Sequence, residues 1–228
     1  MRQFNQYLHH RLRWWETVLV IVGVLVLGGL GDLGYDWVSA AILDGRVRAA
    51  MPTVCAGIRA QRRQVEAALE AYQARFGFYP PDHVVRRQPL TVDPVRNPLV
   101  YELAGVLYNP TNKTFELEHL EPADAKYVLD FFQCTGFKNC GQRPQEIRRL
   151  LALSPLPVRQ LHDDPDVFVL AYQVPWEGLA PEVVEQFQVS PWRYVASGPT
   201  NNPGRYDLWL EVRTRRQSVI VGNWKAVD

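Results

Sequence analysis

The chain has 228 residues, 47% hydrophobic and 21% charged, with 25 Lys+Arg against 24 Asp+Glu for a net charge of +1. That balance excludes a disordered chain and a nucleic-acid binder working through a broad basic surface. Three Cys exclude a disulfide-dense scaffold, and no C-x-x-C pair marks a structural zinc site.

The first predicted element is apolar. Residues 17–31, TVLVIVGVLVLGGLG, carry no charge. Trp14 and Trp15 precede the run, and Tyr35 and Trp37 follow it. Aromatic residues at both ends suit the two membrane–water interfaces, and a bilayer core takes about 20 helical residues. Residues 14–36 are therefore predicted to form one transmembrane helix, with 1–13 as a cytoplasmic N-terminus. Arg2, Arg11 and Arg13 precede the run, whereas Asp32, Asp36 and Asp44 follow it. The positive-inside rule then places the N-terminus in the cytoplasm and the body outside.

Three other readings compete. A cleaved signal peptide would end at Val38-Ser39-Ala40. Gly29-Leu-Gly31-Asp-Leu-Gly34 matches the glycine pattern of a dinucleotide-binding turn. It lacks the acidic end of a second strand and the alternating βαβ pattern downstream. A buried soluble helix would leave the charge asymmetry and the flanking aromatics without a role.

Residues 37–77 are predicted as a long amphipathic helix. Val47, Met51, Val54, Ile58, Val65, Leu69, Tyr72 and Phe76 draw one apolar stripe. For residues 58–76 this stripe is expected to pack on the chain's own sheet. Nearer the membrane, an apolar stripe invites neighbouring chains. Pro52 is expected to kink or restart the helix, and Gly77 with Pro80-Pro81 to end it.

Residues 78–228 read as short elements divided by Pro and Asn. The expectations are a strand at 99–103, a turn at 109–113 leading into a strand at 114–117, and short helices after Pro122, Pro144 and Pro181. A further strand is expected at 167–174. The end reads as three strands, 191–196, 206–213 and 218–224, in an antiparallel meander. The fold class is α+β: a transmembrane helix continuing into a long amphipathic helix packed on a small antiparallel sheet, with an inserted α/β elaboration at about 105–189.

This order of elements resembles type IV pilins and type II secretion pseudopilins. VEAALEAYQARFGFYPPD, residues 65–82, resembles the end of the pseudopilin helix, with Tyr72 in its ALxxY run and Tyr79-Pro80 in its Gly-x-Tyr-Pro stop. Asp93-Pro-Val-Arg-Asn97-Pro98-Leu-Val-Tyr101 resembles the segment entering the family's sheet. Gly204-Arg-Tyr206-Asp207, followed by a strand ending in Trp224, resembles its closing strands. The match covers roughly 54–104 and 190–226, and the residues carrying it have structural roles.

The resemblance implies a pilin-like body on a single-pass inner-membrane anchor, with its C-terminal domain in the periplasm. Its partners would be the membrane, copies of itself or other pilin-like subunits, and secretion-machinery proteins. Glu16 stands where the family has an acidic residue at the head of the apolar run. No Gly precedes that run where prepilins are cut, and an uncut chain would leave Glu16 as an interfacial charge. The family's calcium loop corresponds to Arg213–Gln217, which is basic, so no metal is expected.

Cys134 and Cys140 are candidates for a small disulfide-closed loop or for two free thiols, while Cys55 is read as a packed residue. His162–Asp166 reads as a solvated loop or cap and not as a metal site. No nucleophile elbow, P-loop or HExxH motif occurs, so no catalytic residue, cofactor or enzyme activity is expected. The functional expectation is a structural subunit of a secretion or pilus-like assembly. The alternative is a membrane-anchored binding or sensory domain outside any filament, and a tethered hydrolase would lack a recognisable site.

Overall fold

The computed structural model describes the backbone of residues 2–82, 84–85, 91–161, 164–172 and 178–224, and of these the side chains from 37 onward except 84, 85, 91, 164 and 165. The chain divides into two units, Met1–Ala50 and Met51–Asp228. In the first unit the backbone is helical from Arg2 and belongs to α1 (Arg2–Phe76). Its described side chains include Trp37, 74% exposed, with Val38 and Ile42 also exposed. Among the described residues no helix is long and apolar enough to cross a membrane. The side chains of the predicted span 14–36, including Trp14, Trp15, Glu16 and the Gly29–Gly34 pattern, lie outside the described residues.

The second unit opens with the rest of α1. Pro52 lies inside the helix, which does not restart there. One lost N–H is outweighed by the Ala-rich flanks and the burial of Met51, Val54 and Ile58. Val65, Leu69 and Tyr72 continue the buried stripe. Gly57 serves a close approach, since a Cβ there would overlap the Tyr172 hydroxyl. At Gly77 φ is +84°, and its N–H reaches the Gln73 carbonyl at 2.8 Å, which stops the helix.

A short antiparallel pair follows, β1 (Val84–Val85) with β2 (Thr91–Val92). Next comes α2 (Leu99–Ala104), where a strand was expected. All six of its residues are buried, so the run lacks the alternation that separates a strand from a short helix. The Pro98 carbonyl accepts the Tyr101 and Glu102 amides at 3.0 and 3.1 Å and sets the first turn.

The insertion holds a mixed sheet. β3 (Val106–Asn109) and β4 (Thr114–Glu116) form the expected hairpin, β5 (Ala123–Asp124) adds to β4, and β6 (Cys140–Gly141) runs parallel to β3. Between them lies α3 (Ala125–Phe132), capped by the Asp124 carboxylate on the Tyr127 N–H at 2.7 Å. The helix expected after Pro144 does not form. There the Arg148 N–H is taken by the Asn139 side chain at 2.8 Å, and the Leu150 and Leu151 amides by the Leu103 carbonyl. Long-range partners replace the i−4 ladder.

β7 (Val158–Leu161) and β8 (Asp164–Leu170) form an antiparallel hairpin, and α4 (Pro181–Val184) is a single turn. Asp164 and Asp166 of the expected acidic loop stand on β8, and His162 lies outside the described residues. The closing sheet centres on β11 (Asp207–Arg213). β12 (Ser218–Gly222) pairs with it, while β9 (Gln188–Val189) and β10 (Arg193–Val195) pair with successive stretches of it, all antiparallel. Leu208, Leu210 and Val212 alternate into the core, as the half-buried strand pattern predicts. The described fold is mixed α+β with small sheets.

Candidate functional site

Two places in the second unit gather polar side chains. The first is the seam between the end of α1 and the closing sheet. Tyr79 donates to both Glu70 carboxylate oxygens at 3.2 Å, and its ring meets Tyr206 edge-on at 4.9 Å. Arg205 pairs with the same carboxylate, and Tyr206 reaches it at 3.4 Å. The Pro80 carbonyl accepts the Tyr194 hydroxyl at 2.8 Å. One oxygen of Asp82 accepts the Ala196 N–H, the Ser197 N–H and the Ser197 hydroxyl, each at 2.8 Å. Burial holds the Tyr194 and Tyr206 phenols well above their ordinary pKa, so both stay neutral donors.

Asn97 is fully buried, and its amide donates to the Pro94 and Trp192 carbonyls at 2.8 Å. This joins the 93–98 turn, where Asp93 accepts the Val95 N–H at 3.0 Å, to the start of the closing sheet. Gly204, at φ +81°, supplies the left-handed turn before β11. Asp207, 3% exposed, then accepts five donors from Thr200, Asn201 and Asn202 at 2.9–3.0 Å. Asn223 accepts the Leu208 N–H at 2.9 Å and donates to the Tyr206 carbonyl at 3.0 Å. Trp224 meets Trp209 edge-on at 5.6 Å, over a Gly222 that leaves it room. The Arg62 guanidinium of α1 donates to the Gly222 carbonyl.

The second place is where α2 meets the insertion. Glu102 is 1% exposed, and its carboxylate accepts the Tyr72 hydroxyl and the Lys138 and Asn139 amides, each at 3.0 Å. Burial raises the Glu102 pKa, and these donors oppose the rise. Tyr72 is likewise raised by burial and then by Glu102, so it remains the donor. Tyr101 is buried beside it, stacked on Phe137 at 4.8 Å, with its oxygen accepting the Phe168 N–H at 3.2 Å.

Next to this knot lies an open cleft of about 740 Å³ between the β3–β4 hairpin, α3 and the 134–142 loop. Its buried lining includes Ala125, Phe115 and Phe137, and its exposed lining includes Lys113, Lys126, Asp130 and Glu146. Lys126 is neutralised by Asp130 at 2.6 Å, and Glu146 by Arg143. Cys134 and Cys140, both half-buried free thiols, complete the wall. Burial raises the pKa of each, and a protonated thiol is a poor nucleophile. The cleft therefore offers an apolar surface and hydrogen-bonding rims for binding. Among the described residues no group of His, Cys, Asp and Glu could hold a metal ion.

The motif residues Tyr72, Tyr79, Pro80, Asp93, Asn97, Pro98, Tyr101, Gly204, Tyr206, Asp207 and Trp224 thus all serve as ties, turns or packing. Sequence reasoning missed Glu102, and it read Asn139 and Asp82 only as turn residues, without the ties they make. The signal for Glu102 was a single carboxylate inside the apolar run LVYELA. No protein-family model, no curated protein and no solved structure matches the chain.

Proposed function

We propose that this chain is a structural pilin-like subunit, a pseudopilin, of a type II secretion or pilus-like membrane assembly. In this reading residues 14–36 anchor it in the inner membrane, with the N-terminus in the cytoplasm and the body in the periplasm. It works without turnover, through helix packing and sheet contacts with other pilin-like subunits and secretion-machinery proteins.

The observation that carries the reading is the seam. The residues that resemble the family come from three separate stretches of sequence, 65–82, 93–101 and 204–224. At the end of α1, Tyr79 packs edge-on against Tyr206 and the Pro80 carbonyl accepts the Tyr194 hydroxyl, while Asn97 and Trp224 reach the same closing sheet through Trp192 and Trp209. A rigid join of that kind suits a subunit whose helix transmits load to its head. The exposed Trp37, Val38 and Ile42 offer an apolar face for neighbouring helices.

The test is cross-linking of full-length chain in the membrane of cells that make it, with Trp37→Cys and Ile42→Cys variants. A ladder of cross-linked species is the expected result, and a membrane protein that stays monomeric at every density overturns the reading. The cleft favours a second reading, a tethered binding domain outside any filament. An uncut N-terminus together with a monomeric body would select it.

A further inference from the structure

We propose that Cys134 and Cys140 are a thiol–disulfide switch whose closure staples the loop that holds Glu102. The inference stands on the placement of the two residues and not on the pilin-like reading.

Both thiols line the same cleft. Cys140 is fixed by its place on β6, in register with Val106 of β3. Cys134 follows the left-handed Gln133, and its N–H is tied to the Leu129 carbonyl at 3.0 Å at the end of α3. The segment between them is pinned at three points. Phe137 stacks on Tyr101, and the Lys138 and Asn139 amides both bind the Glu102 carboxylate. These ties hold the segment in place before any bond forms. Gly136 has no neighbour within 4 Å of where a Cβ would lie, so the turn has room to bring the sulfurs together. The Glu102 charge acts on both thiols and adds to the effect of burial, keeping them protonated. Closure proceeds by exchange with a small-molecule or protein disulfide through the minor thiolate fraction of each cysteine.

In the first step one cysteine thiolate attacks a sulfur of the oxidant disulfide. A mixed disulfide forms, and one thiolate of the oxidant leaves. The second cysteine, deprotonated, then attacks the protein sulfur of that mixed disulfide and expels the other thiolate. The two protons lost by the cysteines end on the two released thiols. The protein is oxidised by two electrons and the oxidant is reduced to two thiols.

A ring of this size gives a stabilisation that raises the melting temperature by about 5–10 °C. It also fixes the wall of the cleft and both backbone donors to Glu102, and through Glu102 the tie to Tyr72.

The full-length folded chain is incubated with oxidised glutathione, and its intact mass, peptide map and melting curve are measured. The expected product has lost two hydrogens. Trypsin cuts after Lys138, inside the loop, so the map should show two peptides joined through Cys134 and Cys140 that separate on reduction. Cys134→Ser and Cys140→Ser should each abolish the product, and Cys55→Ala should leave it intact. Stable glutathionyl adducts on both sulfurs, disulfide-linked dimers alone, or three unreacted thiols under native conditions would each overturn the proposal. The wild-type mass and map decide the matter even if a Ser variant fails to fold.

Discussion

The closing sheet and the junction of α2 with the insertion bury carboxylates in opposite ways. Asp207 is held by donors five to seven residues away, all from the loop that leads into its own strand. Glu102 is held by Tyr72, thirty residues before it, and by Lys138 and Asn139, more than thirty residues after. A local cage forms as the turn forms and needs little loop closure. A long-range knot is made only after three distant segments have met, at a larger entropic cost. The closing sheet should therefore be the self-sufficient part of the body, and the insertion the part that depends on docking to α1.

The largest expected effect breaks the local cage. Asp207→Ala leaves five donors without their shared acceptor and should cost about 3 kcal/mol in denaturant unfolding. A cost below that of the Glu102 variant would reverse the ranking of the two regions.

Glu102→Gln keeps the shape but replaces one acceptor oxygen with a donor facing a backbone N–H, and should cost about 2 kcal/mol at neutral pH. It also sharpens the comparison through pH. The folded-state pKa of Glu102 is raised above its ordinary 4.5, mainly by burial. Its contribution to stability is full below that ordinary value and is lost as pH rises through the raised one. A series of melts from mildly acidic to neutral pH should show this decline in the wild type and its absence in the Gln variant. An unchanged slope would mean that Glu102 does not titrate there.

Tyr72→Phe removes one of three donors from the knot and leaves the ring packing in place, which predicts a loss of about 1 kcal/mol. Combined with Glu102→Gln it should be less than additive, because both changes break the same bond. The smallest effect is expected at the cleft rim. Lys126→Ala removes an ion pair in open solvent and should leave the melting curve where it was, since such pairs contribute little.

Much of the closing sheet was legible in advance. Alternation marked β11, and Asn, Pro and Gly marked the loop that leads into it from β10, because strand and turn there depend on neighbours in sequence. The same holds for the buried stripe of α1 from Met51 to Tyr72 and for the β3–β4 hairpin. Legibility failed at Leu99–Ala104, read as a strand, and after Pro144, read as a helix. In the first, burial on every side erased the alternation. In the second, Asn139 and Leu103 took amides that a helix would have used.

At the candidate sites the division is the same. The resemblance to the pilin family singled out Tyr72, Asn97, Asp207 and Trp224, and spacing alone paired Cys134 with Cys140 as neighbours in one loop. The chain's own order of apolar run, amphipathic helix and terminal strands was enough to predict an α+β body. Only the tertiary structure could show that Tyr72 of α1 and Asn139 of the insertion share the Glu102 carboxylate. It alone placed Asp82 on the Ala196–Ser197 amides, and the two thiols in one cleft with Phe115 and Phe137. The ties to Glu102 and Asp82 join residues thirty to more than a hundred positions apart, and no local preference encodes them. They exist because burying the apolar faces of α1, α2 and α3 leaves polar groups that must find each other once water is excluded.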